Sequence, residues 1–481
     1  MRTQITKPKQ STQTMGLLSR LPISPWLFRD PLQFFEELQK GTDPVATMRI
    51  AGTKVFYLRD PDLIREMLVT FASDFHKSRG LERAKALLGE GLLTSEDEFH
   101  RQQRKLIQPV FHHRNLKEVA VIIRERARRL AESWQPGQTV NLSQEMHALT
   151  LVIVGESLFG TEVGDRTARV SELMETIMET FFLFMSPLAS VFEFFGHPKL
   201  KRAANARREL GRIVQGMIEE RRRTEKPRND LLTLLFAAQD AESGLGMSDE
   251  QLRDEVMTLF LAGHETTANA LSWTVYLLTQ HPEIAERLAH DCRCADYHES
   301  SAGTGSRLRD PSPAVGDEGP SSVGQAGRSA GDPESEFGLK EDSLLFRVIR
   351  ESLRLYPPVW AVGRKPMNPV RIGGNTVPKG SIVLSCQWAM HRCHRYFPNP
   401  TRFEPDRWTA DFQRTLPKYA FFPFGGGPRS CIGEGFAWME LGIVLTELLR
   451  RWRFELAPGQ TIKPKASVTL RSEKPIQVIV R

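Results

Sequence analysis

Apolar side chains recur every three or four residues along much of the chain from about residue 31 to residue 290, which is the spacing of amphipathic helices. The clearest examples are PLQFFEELQK, PDLIREMLVTFA, EFHRQQRKLIQPVF, LKEVAVIIRERARRLAESW and ELGRIVQGMIEERRR. One short segment, MRIAGTKVFYL, instead alternates around Gly52 and predicts a β-hairpin. Helical spacing returns after residue 340, together with short predicted strands. We therefore predict a mainly α protein with small β-sheets.

The longest predicted helix begins after Ser248, which forms a capping-box pattern with Gln251. It extends to about Gln280 and is apolar around most of its circumference, as is typical of a helix that crosses a protein interior. Its centre nevertheless carries the polar stretch Gly263–Thr267. Because glycine inside a helix costs about 1 kcal/mol relative to alanine, we expect either a functional role or a close helix–helix contact at this point.

Residues 292–338 interrupt these patterns, since they consist mainly of Ser, Gly, Asp, Pro and Arg with few large apolar side chains. Such a segment cannot bury enough apolar surface to offset the entropy of ordering it. We predict a disordered insertion, which a lineage-specific insertion and a translated frameshift would explain equally well. The predicted organisation is an N-terminal arm over residues 1–30 and one domain over residues 31–481 that the insertion interrupts.

The composition narrows the class of protein. The 481 residues are 40% hydrophobic and 26% charged, which suits a globular protein with a sizeable core. The net charge of +7 favours acidic partners, but no basic and aromatic cluster indicates nucleic-acid binding, so we predict none. No signal peptide or spanning helix follows the polar N-terminus, and we expect a cytoplasmic protein without a transmembrane anchor. Five scattered cysteines do not form a disulfide framework.

The strongest chemical signal is the loop FGGGPRSCIG, which runs from Phe424 to Gly433. Its glycines permit close approach to a flat ligand. Cys431 precedes a predicted helix, and a helix N-terminus lowers the pKa of a thiol and favours the metal-ligating thiolate. The loop resembles the haem-binding loop of the cytochrome P-450 superfamily and carries all five of its defining residues. Chance would produce this pattern in roughly one chain of this length in ten thousand.

The resemblance covers nearly the whole chain outside residues 292–338 and is to soluble bacterial members of the superfamily. It implies one domain with an α-rich lobe and a β-rich lobe around a buried haem b (iron protoporphyrin IX). Cys431 is implied as the iron ligand, with Phe424, Arg429 and Gly433 as further cofactor-binding residues. The implied enzyme is a monooxygenase that activates O2 with thiolate assistance and hydroxylates or epoxidises a lipophilic small molecule.

A second matching motif is AGHETT, from Ala262 to Thr267. In the superfamily this helix runs over the haem, and the resemblance therefore places Ala262 and Gly263 at the cofactor. A carboxylate beside a threonine can relay protons during oxygen activation. We predict Glu265 and Thr266 as the catalytic residues, with Thr266 holding water and Glu265 supplying protons.

The resemblance also assigns partners to the haem propionates, which need cationic or hydrogen-bonding groups when they are buried. These partners are His100, Arg104, Arg364 and the loop residue Arg429. A structural role is implied for Glu351 and Arg354, which share a helix face, together with Arg407.

The expected substrate pocket includes Val359, Trp360, Ala361 and Val362, which follow the Glu351 helix. We expect a fatty acid, terpenoid or carotenoid as substrate. A further apolar segment contains Phe181, Phe182, Phe184, Phe192, Phe194 and Phe195. Periodic phenylalanines are more often core residues than pocket residues, but these would also suit a large hydrophobic ligand or brief contact with a membrane.

Electrons must come from an external NAD(P)H-linked chain, since no flavin, nicotinamide or iron–sulfur motif is present. We expect a ferredoxin or flavodoxin that docks on basic residues such as Arg101, Lys105 and Lys418, and we expect a monomer. Two alternatives remain open. A peroxide-driven enzyme of this fold would not need the pair Glu265 and Thr266, and a non-catalytic haem sensor could lose both residues.

Overall fold

The fold is that of a computed structural model, which describes residues 27–302, 339–340 and 342–481, except residues 28, 51, 79–80, 83–84, 86–87, 160–168, 171, 174–175, 178–179, 181–196, 224–229, 240–243 and 245. The six phenylalanines expected near the substrate lie outside these residues.

Helices make up most of the described chain, and their positions agree with the predicted ones where a prediction was made. They are α1 (Pro31–Gln39), α2 (Pro61–Arg65), α3 (Asp97–Ile107), α4 (His113–Ser133), α5 (Leu142–Phe159), α6 (Pro198–Arg223), α7 (Leu231–Ala237), α8 (Asp249–Gln280), α9 (Pro282–Ala302), α10 (Leu344–Leu355), α11 (Gln387–Met390), α12 (Ala410–Thr415) and α13 (Glu434–Arg451). Helix α9 extends into the predicted insertion, of which residues 303–338 lie outside the described residues.

The strands are short: β1 (Val45–Ile50), β2 (Thr53–Leu58), β3 (Phe75–Lys77), β4 (Thr139–Asn141), β5 (Val362–Pro366), β6 (Val370–Ile372), β7 (Asn375–Val377), β8 (Ile382–Ser385), β9 (Phe454–Leu456), β10 (Pro464–Ala466), β11 (Leu470–Ser472) and β12 (Gln477–Val480). They form a five-stranded sheet in the order β1-β2-β8-β5-β3, a three-stranded sheet β4-β12-β9 and the pairs β6-β7 and β10-β11. The hairpin predicted around Gly52 is confirmed by the antiparallel pairing of β1 with β2, and the mainly α fold class is confirmed.

Helix α8 is the central element. Its N-terminus carries the predicted capping box, in which the Gln251 N–H donates to Ser248 Oγ (3.2 Å) and the Ser248 N–H donates to Gln251 Oε1 (2.8 Å). With 32 residues it is about 48 Å long. Side chains are buried around its whole circumference, because α5, α10 and α13 all pack against it. This packing places the polar centre of α8 inside the protein.

Candidate functional site

The cysteine loop is bent by glycines that no other residue could replace without strain. Gly425 and Gly427 have φ values of +74° and +67°, in the left-handed region. A Cβ atom on Gly427 would lie 1.9 Å from the Leu68 carbonyl oxygen, so the loop is pressed against that backbone. The Cys431 N–H donates to the Phe424 carbonyl at 2.9 Å and closes the bend. The loop therefore holds Cys431 in one defined position.

Cys431 lies just before α13, whose N-cap is Gly433. The residue has an accessible surface, yet the surrounding protein desolvates its thiol. Burial raises the pKa of Cys431 to about 11, and the backbone N–H of Gly433 opposes this change. In the protein alone, burial thus outweighs the hydrogen bond from the Gly433 N–H, and the thiolate expected for iron binding stays a prediction. A metal ion would displace the proton on binding.

Cationic side chains from four separate segments converge beside this loop. Burial and the charge of Arg429 lower the pKa of Arg364 to about 10 and that of His100 to about 3. The same causes lower the pKa of Lys77 to about 7. Arg104 contributes to the low pKa of His100. Burial lowers the pKa of Arg104 itself, and the nearby Cys431 thiol opposes this change. These five groups form one cluster, in which His100 is a neutral imidazole at physiological pH.

The carboxylates near this cluster do not balance its charge. Glu96 forms an ion pair with Arg429, but the Asp97 side chain lies at the edge of the cluster and is mostly exposed to solvent. Burial raises the pKa of Glu255 to about 8, which leaves its carboxyl largely uncharged at neutral pH. Among the described residues, the cluster thus retains an excess of positive charge inside the protein, and such an excess favours a bound anionic group.

Two of the predicted propionate partners also stabilise the cysteine loop. Arg104 donates to the carbonyl oxygen of Ser430 (2.8 Å) and to its Oγ (3.2 Å). Arg429 donates to the Ser95 carbonyl (2.7 Å) as well as pairing with Glu96. A guanidinium has five N–H donors, so each arginine can serve both the loop and a second acceptor.

The centre of α8 presents its polar residues as the sequence suggested. The Thr266 hydroxyl donates to the carbonyl oxygen of Ala262 at 2.6 Å, and Ala262 itself is accessible within an otherwise buried helix. A Cβ atom on Gly263 would lie 2.7 Å from Val154 Cγ2 on α5. Packing against α5 therefore accounts for glycine at this position, which is the helix–helix contact that the sequence left open.

Glu265 points away from solvent. Its Oε1 accepts a hydrogen bond from Thr469 Oγ1 at 2.7 Å, and its Oε2 is buried with no hydrogen-bond partner among the described residues. Burial raises the pKa of Glu265, whereas the Thr469 hydrogen bond and the charge of Arg471 act in the opposite direction. The carboxyl is thus easier to protonate than an exposed one and can act as a proton donor.

Glu351, Arg354 and Arg407 are brought together in a buried ion cluster. Arg354 donates to both carboxylate oxygens of Glu351 at 2.8 Å, and Arg407 Nε donates to Oε1 at 2.9 Å. Trp408 Nε1 and the Glu404 N–H complete the set of donors. The cluster joins α10 to the coil that precedes α12.

The four predicted pocket residues lie where α10 leads into β5. Val359 is 40% exposed, but Trp360 and Ala361 pack partly against the cluster formed by α1 and its neighbours. Val362 is the first residue of β5 and packs against the buried hydrophobic side chains of the five-stranded sheet. Trp360 Nε1 donates to the Ser467 carbonyl at 2.8 Å, which fixes the orientation of the indole. Their role as a substrate pocket stays a prediction.

The residues present fit a haem with a thiolate ligand. The loop is a glycine-built cradle with a thiol at its end, and the cationic cluster beside it lacks balancing carboxylates. Phe424 packs on Trp438 of α13, with ring centroids 5.8 Å apart, at the base of the same loop. The two propionates of a haem would pair with the cationic cluster, and its iron would bind the sulfur at the end of the loop.

The sequence comparisons agree with this chemistry. The model of the family described as Cytochrome P450 matches residues 20–295 and 339–480, and it leaves residues 296–338 unmatched. Cyclooctat-9-en-7-ol 5-monooxygenase of Streptomyces melanosporofaciens is 32% identical over 438 residues, which cover 91% of this chain and 88% of that protein. Pentalenene oxygenase of Streptomyces avermitilis is 30% identical over 445 residues, covering 92% and 91% respectively.

Solved structures share the fold. The haem domain of cytochrome P450DA superposes with a TM-score of 0.75 at 24% identity and covers 94% of this chain and 93% of that one. The retinoic acid-bound cyanobacterial CYP120A1 gives a TM-score of 0.76 at 23% identity, with 95% and 96% covered. The family match, together with the shared fold, thus defines a haem-dependent oxidoreductase. The chain belongs to the cytochrome P450 family, as predicted, and is a monooxygenase.

Sequence reasoning missed two residues of this site. Lys77 enters the cationic cluster from β3 and donates through Nζ to the carbonyls of Leu92 and Ser95, both at 3.0 Å. Thr469 reaches Glu265 from a turn 204 residues further along the chain. Neither lies in a recognisable motif, and only the folded chain brings them to the site.

Proposed function

We propose that this P450 binds haem through Cys431 and uses it to hydroxylate or epoxidise a cyclic terpenoid. The proposal is carried by one observation, which is that a rigid glycine loop holds Cys431 beside an excess of positive charge inside the protein. When bound, the haem would supply reductive activation of O2. The protein would supply the ligand, the charge partners, the proton donors and the substrate cavity.

On the side of the cysteine loop, Cys431 would bind the iron as a thiolate. Phe424 and Gly433 would line the cofactor near this sulfur. Arg364 and Arg429 would bind the propionates through charge-assisted hydrogen bonds, with Arg104 and the neutral His100 as further donors. This assignment is supported by the mutual lowering of pKa values within the cluster, because an anion placed there would relieve the repulsion between the cations.

On the side of α8, Glu265 and Thr266 would control protons. The Thr266 hydroxyl donates its own proton to the Ala262 carbonyl oxygen, so the lone pairs of the hydroxyl oxygen can accept a hydrogen bond from a water molecule. Burial raises the pKa of Glu265 above that of an exposed glutamate, so its carboxyl is easier to protonate. A buried acid beside a bound water molecule can act as a general acid. Ala262 and Gly263 would lie against the cofactor.

The preference for a terpenoid rests on the relatives. Two of them are named for the oxidation of cyclooctat-9-en-7-ol and of pentalenene, and each aligns with more than nine-tenths of this chain. Substrates of this kind need an apolar cavity with few polar groups. The segment Val359–Val362 would form part of its wall, with Val359 the most accessible of the four.

An acidic ferredoxin or flavodoxin would deliver electrons from NAD(P)H. Arg101, Lys105 and Lys418 are exposed. Lys418 lies near Glu434 at the start of α13, where burial raises the pKa of Glu434 and the charge of Lys418 is one of the contributions that oppose this change. No helix among the described residues is long and apolar enough to span a membrane. Cytoplasmic location and a monomeric state stay predictions from the sequence.

The test combines spectroscopy with turnover. The reduced carbon monoxide complex of the purified protein should absorb at the position characteristic of thiolate ligation, and Cys431→His should move the band to the histidine position. Given reductase, ferredoxin and NADPH, the protein should oxidise cyclic terpenes. Thr266→Ala should keep the wild-type spectrum but divert electrons to hydrogen peroxide.

Three results would contradict the proposal. A histidine-like band in the wild-type protein would remove Cys431 as the ligand. Fully coupled turnover by Thr266→Ala would remove the proton relay. Turnover of fatty acids but of no terpene would be consistent with the proposed oxidation chemistry but would refute the proposed substrate class.

A further inference from the structure

A chain of hydrogen bonds reaches Glu265 from outside the α8 motif. The turn Ser467–Thr469 joins β10 to β11, which pair through Ala466 and Leu470. Thr469 is 5% exposed, and its hydroxyl lies 2.7 Å from Glu265 Oε1. Asn269, one helical turn beyond Glu265, donates from Nδ2 to the same hydroxyl oxygen at 3.0 Å.

The direction of each hydrogen bond in this chain follows from the groups involved. An amide NH2 can only donate, so Asn269 occupies a lone pair of Thr469 Oγ1. The single hydroxyl proton of Thr469 is then left for Glu265 Oε1. His147 on α5 lies beside this amide: burial and Arg471 lower the pKa of His147, and its interaction with Asn269 opposes this change.

This polarity has a consequence for the acid. When Oε1 accepts the Thr469 proton, the transferable proton of a neutral Glu265 resides on Oε2. That oxygen is buried and has no hydrogen-bond partner among the described residues. The carboxyl is therefore held in one orientation with one donor atom, which is the preorganisation that proton transfer requires.

The same turn is hydrogen bonded to the predicted substrate wall. The Leu470 N–H donates to the Pro358 carbonyl at 2.8 Å, and Trp360 Nε1 donates to the Ser467 carbonyl at 2.8 Å. On its other side, Trp273 Nε1 of α8 donates to the Leu470 carbonyl at 3.0 Å. The position of Thr469 is thus fixed from both the wall and α8.

We propose that Thr469 is a positioning residue for Glu265, which directs the transferable proton to Oε2 by donating its own hydroxyl proton to Oε1. This inference rests on the proposed function, since it assumes that Glu265 supplies protons during turnover. Thr469 does not itself transfer a proton to substrate or cofactor. Glu265 would regain its proton from solvent after each transfer.

The experiment compares Thr469→Val, which keeps the shape and removes the donor, with Thr469→Ser, which keeps the donor. Both are assayed as haem-loaded enzyme with reductase, ferredoxin and NADPH, and the readout is product formed per NADPH consumed. We expect Thr469→Val to lose roughly tenfold in this ratio, less than the ~10²-fold or more that removal of a general acid costs. Thr469→Ser should restore the ratio to near the wild-type value.

A matched control is Thr274→Val, because Thr274 on α8 is also a buried threonine whose hydroxyl is hydrogen bonded to a side chain, Ser352 Oγ at 2.8 Å, as well as to the Ala270 carbonyl. Its ratio should stay unchanged. Equal coupling in Thr469→Val and wild type would overturn the inference, and so would equal losses in the valine and serine variants. If Thr469→Val binds no haem, Thr469→Ala takes its place, and failure of both to bind haem would assign Thr469 to folding and overturn the inference.

The outcome is separable from that of the proposed function. Normal coupling in Thr266→Ala would refute the relay as a whole. If Thr266→Ala uncouples but Thr469→Val does not, the relay stands and only the role of Thr469 fails.

Discussion

The buried cluster around Glu351 allows a stability change to be worked out from contacts. Glu351 and Arg354 are both 0% exposed, and Glu351 accepts five hydrogen bonds, from Arg354 (two), Arg407, Trp408 and the Glu404 backbone. Glu351→Gln keeps the shape of the side chain but leaves the buried Arg354 guanidinium without a counter-charge, whereas Arg407 keeps its ion pair with Glu404. Breaking a buried ion pair by removing one partner costs about 3–5 kcal/mol.

This free energy corresponds to a measurable change in melting temperature. At about 2.1 cal/mol/K per residue, the unfolding entropy of the 481-residue chain is about 1 kcal/mol/K. We therefore expect Glu351→Gln to lower Tm by about 3–5 °C, measured by far-ultraviolet circular dichroism on haem-saturated protein.

The control is Glu37→Gln, which breaks the exposed pair between Glu37 and Lys40, whose N–O distance is 2.6 Å. An exposed pair contributes less than about 1 kcal/mol, so Tm should change by less than about 1 °C. If Glu351→Gln lowered Tm no more than Glu37→Gln does, the reasoning from burial and charge would be refuted.

Two further predictions concern the cysteine loop and α8. Gly427→Ala should greatly reduce the haem bound per protein, because its Cβ would lie 1.9 Å from the Leu68 carbonyl oxygen and the residue has a left-handed conformation. The control is Gly435→Ala, whose Cβ would meet nothing within 4 Å and which should bind haem normally. Equal haem content in the two variants would contradict the proposed cradle. Burial raises the pKa of Glu255 from 4.5 to about 8, so the folded protein holds this proton more tightly and loses stability as pH rises from about 4.5 to 8. Glu255→Gln can keep the bond from the Leu92 N–H (2.9 Å) and should flatten that loss, measured as urea midpoints at pH 5, 7 and 9; parallel profiles for the two proteins would show that Glu255 does not titrate in this range.

The elements that the sequence predicted best are those with strictly local rules. Helix α8 and its capping box follow from residues three apart, and the cysteine loop follows from the glycines that bend it. Helix α5 gave no comparable signal, since its sequence LSQEMHALTLVIVGESLF is apolar on nearly every face. Its existence is decided by packing against α8 rather than by periodicity.

The family, the proposed iron ligand and the acid–threonine pair could all be predicted from the sequence, because they depend on residue types at short fixed spacings. The electrostatics of the site depend instead on the tertiary structure. Lys77 acquires a pKa of about 7 because burial and distant arginines meet at one point, and Cys431 has a raised rather than a lowered pKa. Thr469 meets Glu265 across 204 residues. Burial and long-range contacts depend on how the whole chain packs, and no local pattern contains that information.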